Sequence, residues 1–249
     1  EYQFGYGQEW GMNLGYTYKN FGDVRSAEIG EQKNTGYGED AWDAKFEYLI
    51  DPKWKMTLAY QNLEQDDVHR THSTIFAKSY AGTTVGSDLR RLKDQQRSLS
   101  YFKLSGENLD SFYDRFTMTL SLQNWTEEGD RIKGNGERIK EGFDSRMYGI
   151  DLKLESDTSI GTLIYGLDAY RDEVDSERDE FNADGSFDQR RIQGPVGDES
   201  VFDIFGTYLQ LNTDLTERLH LVTGARFSYT RASIGKFEDP VTNQEANFS

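Results

Sequence analysis

Two polar clusters have residue types that do chemistry in other proteins. The first is Asp66-Asp67-Val68-His69-Arg70-Thr71-His72, which holds two of the three histidines of the chain. Neutral imidazole ligates metals, and a single axial histidine suffices to hold a haem iron. The spacing works against a shared metal, because on a strand His69 and His72 face opposite sides and would meet one ion only across a turn. The plainer reading of this cluster is a solvated loop root. The second cluster, Asn182-Ala183-Asp184-Gly185-Ser186-Phe187-Asp188, resembles part of a calcium loop. An EF-hand needs Glu at its twelfth position; counted from Glu180, that position is Arg191, so the EF-hand is rejected. A looser Ca²⁺ site from Asp179, Asp184 and Asp188 competes with an Asx turn, which is the expected conformation. No GxSxG, HExxH, Walker loop or Cys–His pair occurs, so the chain does not read as an enzyme and no residue is assigned a catalytic role. His220 falls at the end of a short turn, the wrong rim for an outward-facing hydrolase site.

The elements that must position these residues are strands, because hydrophobicity repeats every two residues. Trp10, Met12, Leu14, Tyr16 and Tyr18 alternate with Gly11, Asn13, Gly15 and Thr17. Phe116, Met118, Leu120 and Leu122 alternate with Thr117, Thr119, Ser121 and Gln123. The same alternation runs through Tyr148–Leu154, Leu163–Ala169 and Leu219–Tyr229, and strands are legible near Trp42–Ile50, Met56–Asn62 and Phe205–Asn212. Tyr2, Phe4 and Tyr6 read as the tail of a strand, as in a piece cut from a longer protein. Near Arg97–Gly106 the phase slips, with Leu99 and Tyr101 opposed to Phe102 and Leu104, which predicts a bulge.

Connections alternate strictly between short and long. Short ones fall at Gly7–Glu9, Asp51–Lys53, Glu107–Asp114, Ser156–Ile160 and Asp214–Glu217. Long polar ones fall at Asn20–Ala41, Glu64–Gln96, Glu127–Ser145 and Asp172–Ser200, and another starts after Thr230. An up-and-down antiparallel transmembrane β-barrel with short periplasmic turns and long outer loops has this asymmetry, and a soluble sandwich has no reason for it. The strands span about 9–11 residues each, the length that crosses a bilayer at a tilt. Trp10 and Trp54 sit at short-turn ends and Trp42 and Trp125 at long-loop ends, as interfacial aromatic girdles require. Trp125 is out of phase with its strand, which places it past the membrane edge or after a bulge.

Composition narrows the class. The 249 residues carry a formal net charge of −16, which repels nucleic acid phosphates. There is no Cys, so disulfides and thiolate metal sites are excluded, and 24 Gly with 15 Tyr and 15 Phe suit a strand-and-turn architecture. The mean hydropathy of −0.80 is low, yet a barrel needs apolar residues only at alternate strand positions. No apolar run is long enough for a transmembrane helix, and no signal peptide is visible.

The segment Gly11-Met12-Asn13-Leu14-Gly15-Tyr16-Thr17-Tyr18-Lys19-Asn20-Phe21-Gly22-Asp23 resembles the strand-and-loop entry of TonB-dependent outer-membrane receptors. So do Thr57–Gln61 followed by Gln65–His72, and the hairpin Tyr208–Leu211, Leu215–Leu219, Thr223–Phe227. The resemblance implies that residues 1–249 are a partial receptor barrel: about ten strands of a barrel of about 22 around an N-terminal plug. It implies a place in the bacterial outer membrane, contact with lipid and lipopolysaccharide, and a link to the TonB complex through the plug. The expected ligand is a scarce nutrient such as a metal–siderophore complex or haem; a passive channel or a surface adhesin are the alternatives. By parity Asn13, Lys45, Glu47, Thr57, Thr119, Asp151, Asp168, Tyr170, Gln210 and Arg226 face the lumen. Arg226 and Gln210 are expected on the plug-contacting wall, with Arg226 paired to an acidic group on the plug or a neighbouring strand. His69, Arg70, His72, Tyr80 and Tyr170 are the ligand-contact candidates, and Tyr80 with Gly82–Gly86 is placed to fold over the mouth as a gate. No cofactor is expected beyond Ca²⁺ held in the outer loops.

Overall fold

A computed structural model describes residues 2–6 (backbone only), 9–242 and 244–248, so the first short turn, Gly7–Glu9, lies partly outside the described residues. The strands are β1 Tyr2–Tyr6, β2 Trp10–Phe21, β3 Val24–Ser26, β4 Gly30–Gln32, β5 Tyr37–Leu49, β6 Trp54–His69, β7 Arg90–Gly106, β8 Arg115–Ile132, β9 Arg138–Thr158, β10 Gly161–Phe181, β11 Phe187–Arg190, β12 Asp198–Thr216, β13 Leu219–Glu238 and β14 Glu245–Phe248. One sheet runs β1-β2-β5-β6-β7-β8-β9-β10-β12-β13-β14, with β11 hairpinned onto β10, while β3 and β4 form a separate small hairpin. Every pair of neighbours in the large sheet is antiparallel, so the chain is an open stretch of up-and-down barrel wall.

Register turns alternation in sequence into two chemically distinct faces. One hydrogen-bonded row reads Gly11, Glu47, Thr57, Lys103, Thr119, Asp151, Asp168, Gly206 and Ser228 across the strands. The row one residue along reads Met12, Phe46, Leu58, Phe102, Leu120, Ile150, Ala169, Phe205 and Tyr229. Successive side chains point to opposite faces, so the first row is the inner wall and the second is the outer belt. Among the described residues nothing covers the belt: Leu58 is 45% exposed, Leu120 41% and Phe205 40%, and the only buried hydrophobics are Leu92, Leu109 and Ile139. At the short-turn end the belt is edged by Trp10 against Phe46 (ring centroids 6.2 Å apart) and Trp54 against Phe116 (5.4 Å); at the other end Trp42 lies on Tyr60 (4.6 Å).

Three sequence expectations change. The strands are longer than a bilayer crossing requires, reaching 21 residues in β9 and β10. At about 3.3 Å per residue and a tilt of about 40° such strands rise roughly 50 Å, about twice the height of a lipid-facing belt. Much of each supposed long loop is therefore paired strand; in Glu127–Ser145 only residues 133–137 are unpaired by strand. Above the membrane both faces meet water, so the period-two signal vanishes while the ladder continues. Second, the bulge is absent from β7, whose register with β8 is unbroken. It sits instead in β6 between Gln65 and Val68, where Asp67 takes φ +53° and its N–H donates to Asp94 Oδ1 at 2.7 Å. Third, with no register shift in β8, Trp125 belongs to the inner wall and not to an outer girdle.

Candidate functional site

The inner wall is laced with ion pairs. Glu47 bridges Lys45 (3.1 Å) and Lys55 (3.3 Å), and Glu155 bridges Lys153 (2.8 Å) and Arg115 (2.7 Å). Arg226 on β13 reaches across β12 to Asp168 on β10, donating from both terminal nitrogens to both carboxylate oxygens at 2.8 Å. Its charge is thus met within the wall. The reach needs Gly206 between them, since a side chain there would collide with the guanidinium. Two more side chains lie over glycines in the same manner. A Cβ at Gly149 would stand 2.7 Å from the ring of Tyr170, and one at Gly166 would stand 2.7 Å from the Tyr208 hydroxyl. Gln210 donates to Asn212 Oδ1 at 2.8 Å, along its own strand. A double-mutant cycle with Asp168→Asn and Arg226→Gln is expected to give a small favourable coupling, since the arginine is half-exposed. Urea unfolding from lipid vesicles measures it; zero coupling would mean that the pair is only geometric.

Higher on the inner wall, Trp125 packs against Phe143 with ring centroids 6.2 Å apart, and Trp125 is 42% exposed. Arg97 donates to Gln123 just below (2.7 and 2.9 Å), and Glu127 accepts from Lys93 and Gln95 just above. Sequence alone does not reveal this aromatic platform ringed by polar groups, because a Trp out of phase with the apolar face of its strand reads as lying past the membrane edge or after a bulge.

The β6–β7 connection is pinned to the same wall. Asp88, 1% exposed, accepts from Arg131 Nε (2.9 Å) and Nη2 (3.0 Å) and from Ser73 Oγ (3.0 Å). Arg91 donates to Ser73 Oγ at 2.9 Å, and backbone bonds Asp88 N–H to Ser73 O (3.1 Å) and Ile75 N–H to Asp88 O (2.9 Å) close the loop on itself. Burial pushes the Asp88 carboxyl up, but the Arg131 and Ser73 hydrogen bonds and the charges of Arg131 and Arg91 outweigh it, leaving the group below the ordinary carboxylate range.

The histidine cluster is split. His69 ends β6 opposite Leu92, whereas His72 sits in a 3-10 turn, Thr71–Ser73, with Nε2 3.4 Å from Arg91 Nη1. Arg70 N–H donates to Arg91 O at 2.9 Å. Tyr80 lies further out, 49% exposed, its phenol pushed up by a hydrogen bond with Glu28, while Lys78 donates to Ile29 O at 2.8 Å. The loop of Tyr80 and Gly82–Gly86 therefore leans on the β3–β4 hairpin.

The calcium arrangement from Asp179, Asp184 and Asp188 does not form. Asp179 is clamped by Arg190 (2.7 and 2.8 Å), Asp184 accepts from Ser186 N–H (2.9 Å) and Oγ (2.6 Å) in an Asx turn, and Asp188 lies on β11. No cluster of three His or acidic residues suited to a metal ion occurs among the described residues.

With this geometry in view, the chain has the architecture of an open stretch of antiparallel up-and-down β-barrel wall. It superposes on the copper transporter OprC with a TM-score of 0.74 at 12% identity, covering 96% of this chain and 37% of that one. It superposes on the ferric citrate transporter FecA with a TM-score of 0.68 at 13% identity, covering 96% of this chain and 35% of FecA. For the ferric yersiniabactin uptake receptor FyuA from Yersinia pestis the TM-score is 0.58 at 11% identity, covering 96% and 36%. The fold is thus that of the TonB-dependent receptor barrels, and the chain spans about a third of the length of these structures. No protein-family model matches the sequence, and no curated protein matches it.

Proposed function

We propose that these residues form part of the barrel of a TonB-dependent receptor-transporter in a bacterial outer membrane, taking up a scarce nutrient such as a metal–siderophore complex or haem. The observation that carries this reading is the pairing of a continuous uncovered apolar row with a continuous polar row on one unbroken sheet. Such a sheet is stable only with hydrocarbon outside and water or polar protein inside. The inner wall contacts a plug through polar groups already paired among themselves, Gln210 and the Arg226–Asp168 bridge included. The TonB complex acts on that plug, and nucleic acid is not a partner. The ligand is met from outside by Trp125 and Phe143 on the wall, and by His69, Arg70, His72 and Tyr80 in the loop region; Tyr170 lies deeper. The structures it resembles are transporters or receptors for copper, ferric citrate and ferric yersiniabactin, all metal-bearing solutes.

The test uses the full-length gene in cells with and without TonB, supplied with labelled ferric siderophores or haem. Uptake that needs TonB is expected. Uptake that persists unchanged without it overturns energised transport and leaves a passive channel.

A further inference from the structure

Most of the inner wall is polar, yet it carries one apolar patch near the long-loop end. On β8 the outer face turns polar after Leu122, at Asn124 and Thr126, so Trp125 stands past the lipid-facing part of its own strand. In register its neighbours on the inner face are Leu99 on β7, Met147 and Phe143 on β9, and Val174 on β10. The Phe143 ring lies against the indole, which stays exposed. Phe202 on β12, opposite Asp172, is exposed as well. A contiguous apolar surface on a wet wall marks a place where something apolar is laid.

Charge around the patch is sparse and balanced. From β6 to β10, within two residues of the Trp125 row, the only charged inner-wall side chains are Arg97, Glu127 and Asp172. Glu127 is met by Lys93, one step higher, and Asp172 accepts from Ser145 Oγ at 2.7 Å. Arg97, directly opposite Trp125, donates Nε and Nη2 to the neutral Gln123 Oε1, and its Nη1 has no partner among the described residues. The wall here thus holds no surplus of cations to draw in a polyanionic complex. It offers instead a large ring with one free guanidinium nitrogen beside it. A flat aromatic face packs well on indole, and a guanidinium N–H donates strongly to anionic oxygen.

We propose that this patch selects the cargo by an aromatic face: a metal complex of low net charge lays a flat aromatic ring on Trp125 against Phe143, and an oxygen at its edge accepts from Arg97 Nη1. The assignment rests on the reading of the chain as a receptor wall and narrows that reading to aromatic complexes. The place of the patch, past the lipid-facing stretch of β8 and toward the long loops, suits a solute arriving from outside better than a plug entering from the short-turn side. An aryl chelator and a porphyrin share the required chemistry, and the test separates them.

The test is equilibrium dialysis of the full-length protein against radiolabelled ferric benzohydroxamate, ferric acetohydroxamate, ferric citrate and haem. The two hydroxamate complexes are uncharged and hold iron through the same oxygens, so they differ only in the phenyl rings. Wild type is expected to bind the benzohydroxamate complex about tenfold more tightly than the acetohydroxamate complex, with ferric citrate weakest. Trp125→Leu is expected to erase that preference and Trp125→Phe to keep part of it, while Arg97→Gln weakens both hydroxamate complexes about fivefold and leaves their ratio unchanged. Haem bound more tightly than the benzohydroxamate complex, with the same loss in Trp125→Leu, assigns the aromatic face to a porphyrin; the reverse order assigns it to an aryl chelator. Equal binding of the two hydroxamate complexes by wild type overturns the proposal. So does ferric citrate bound tightest, or a preference that survives Trp125→Leu, the result expected if the plug covers the patch. Uptake with and without TonB is scored separately, and its independence from TonB with the aromatic preference intact counts against energised transport and not against the patch.

Discussion

Replacing Leu120 by Arg is expected to destabilise the barrel by about 2–4 kcal/mol, whereas Thr119→Arg, one residue earlier, costs less than about 1 kcal/mol. Leu120 stands mid-belt between Phe102 and Ile150 on the face that none of the described residues covers. A guanidinium there must be taken into hydrocarbon or bend away from it. Thr119 stands between Lys103 and Asp151 on the inner wall, where an added cation meets water and an acidic neighbour. Urea unfolding of the full-length protein in lipid vesicles reads both variants. Equal costs at the two positions would mean that the two faces share one environment, and the transmembrane assignment would be lost.

Asp88→Ala is expected to release the β6–β7 loop, speeding exchange of the Ile75 amide by roughly tenfold to a hundredfold, the size set by losing charge-assisted hydrogen bonds. The Ile75 N–H bonds to the Asp88 carbonyl, so its protection reports the latch directly. The same latch is sensitive to acid in a fixed direction. Because the folded state depresses the Asp88 carboxyl, its stabilisation is fully present above the unfolded value of about 4 and is lost as pH falls through the lower folded value. The loop therefore stays pinned at neutral and mildly acidic pH and opens only in strong acid. Hydrogen exchange at a series of pH values, corrected for intrinsic rate, checks both statements; a loop that opens between pH 7 and 5 would contradict them.

Alternation made the two faces legible in the sequence wherever one face meets lipid, as in Phe116–Leu122 and Tyr148–Leu154, and all ten strands read from it are present. It failed where water wets both faces. The upper halves of β8, β9 and β10 carry runs such as Glu127–Asp130 and Arg171–Glu180, which pair through backbone bonds that no side-chain period announces. Near Arg97–Gly106 the apolar residues of both phases are real, because Leu99 and Tyr101 are inner-wall residues, and a bulge was inferred where the wall is merely less polar. Trp125 is hidden for the same reason: a large apolar side chain on the inner wall breaks the expectation that such residues point to lipid. The Asp88 latch had no local signature: its partner Arg131 lies 43 residues away, and only the fold brings them together.

The glycines beneath Tyr170, Tyr208 and Arg226 have a mechanical consequence. Each of these long side chains lies along the sheet instead of standing up from it, in a staircase from β9 to β13. The inner wall there presents flat, interlocked surfaces with few side chains standing up from it. A polar surface laid on this wall would meet no unpaired charge at Arg226, whose terminal nitrogens are already taken by Asp168.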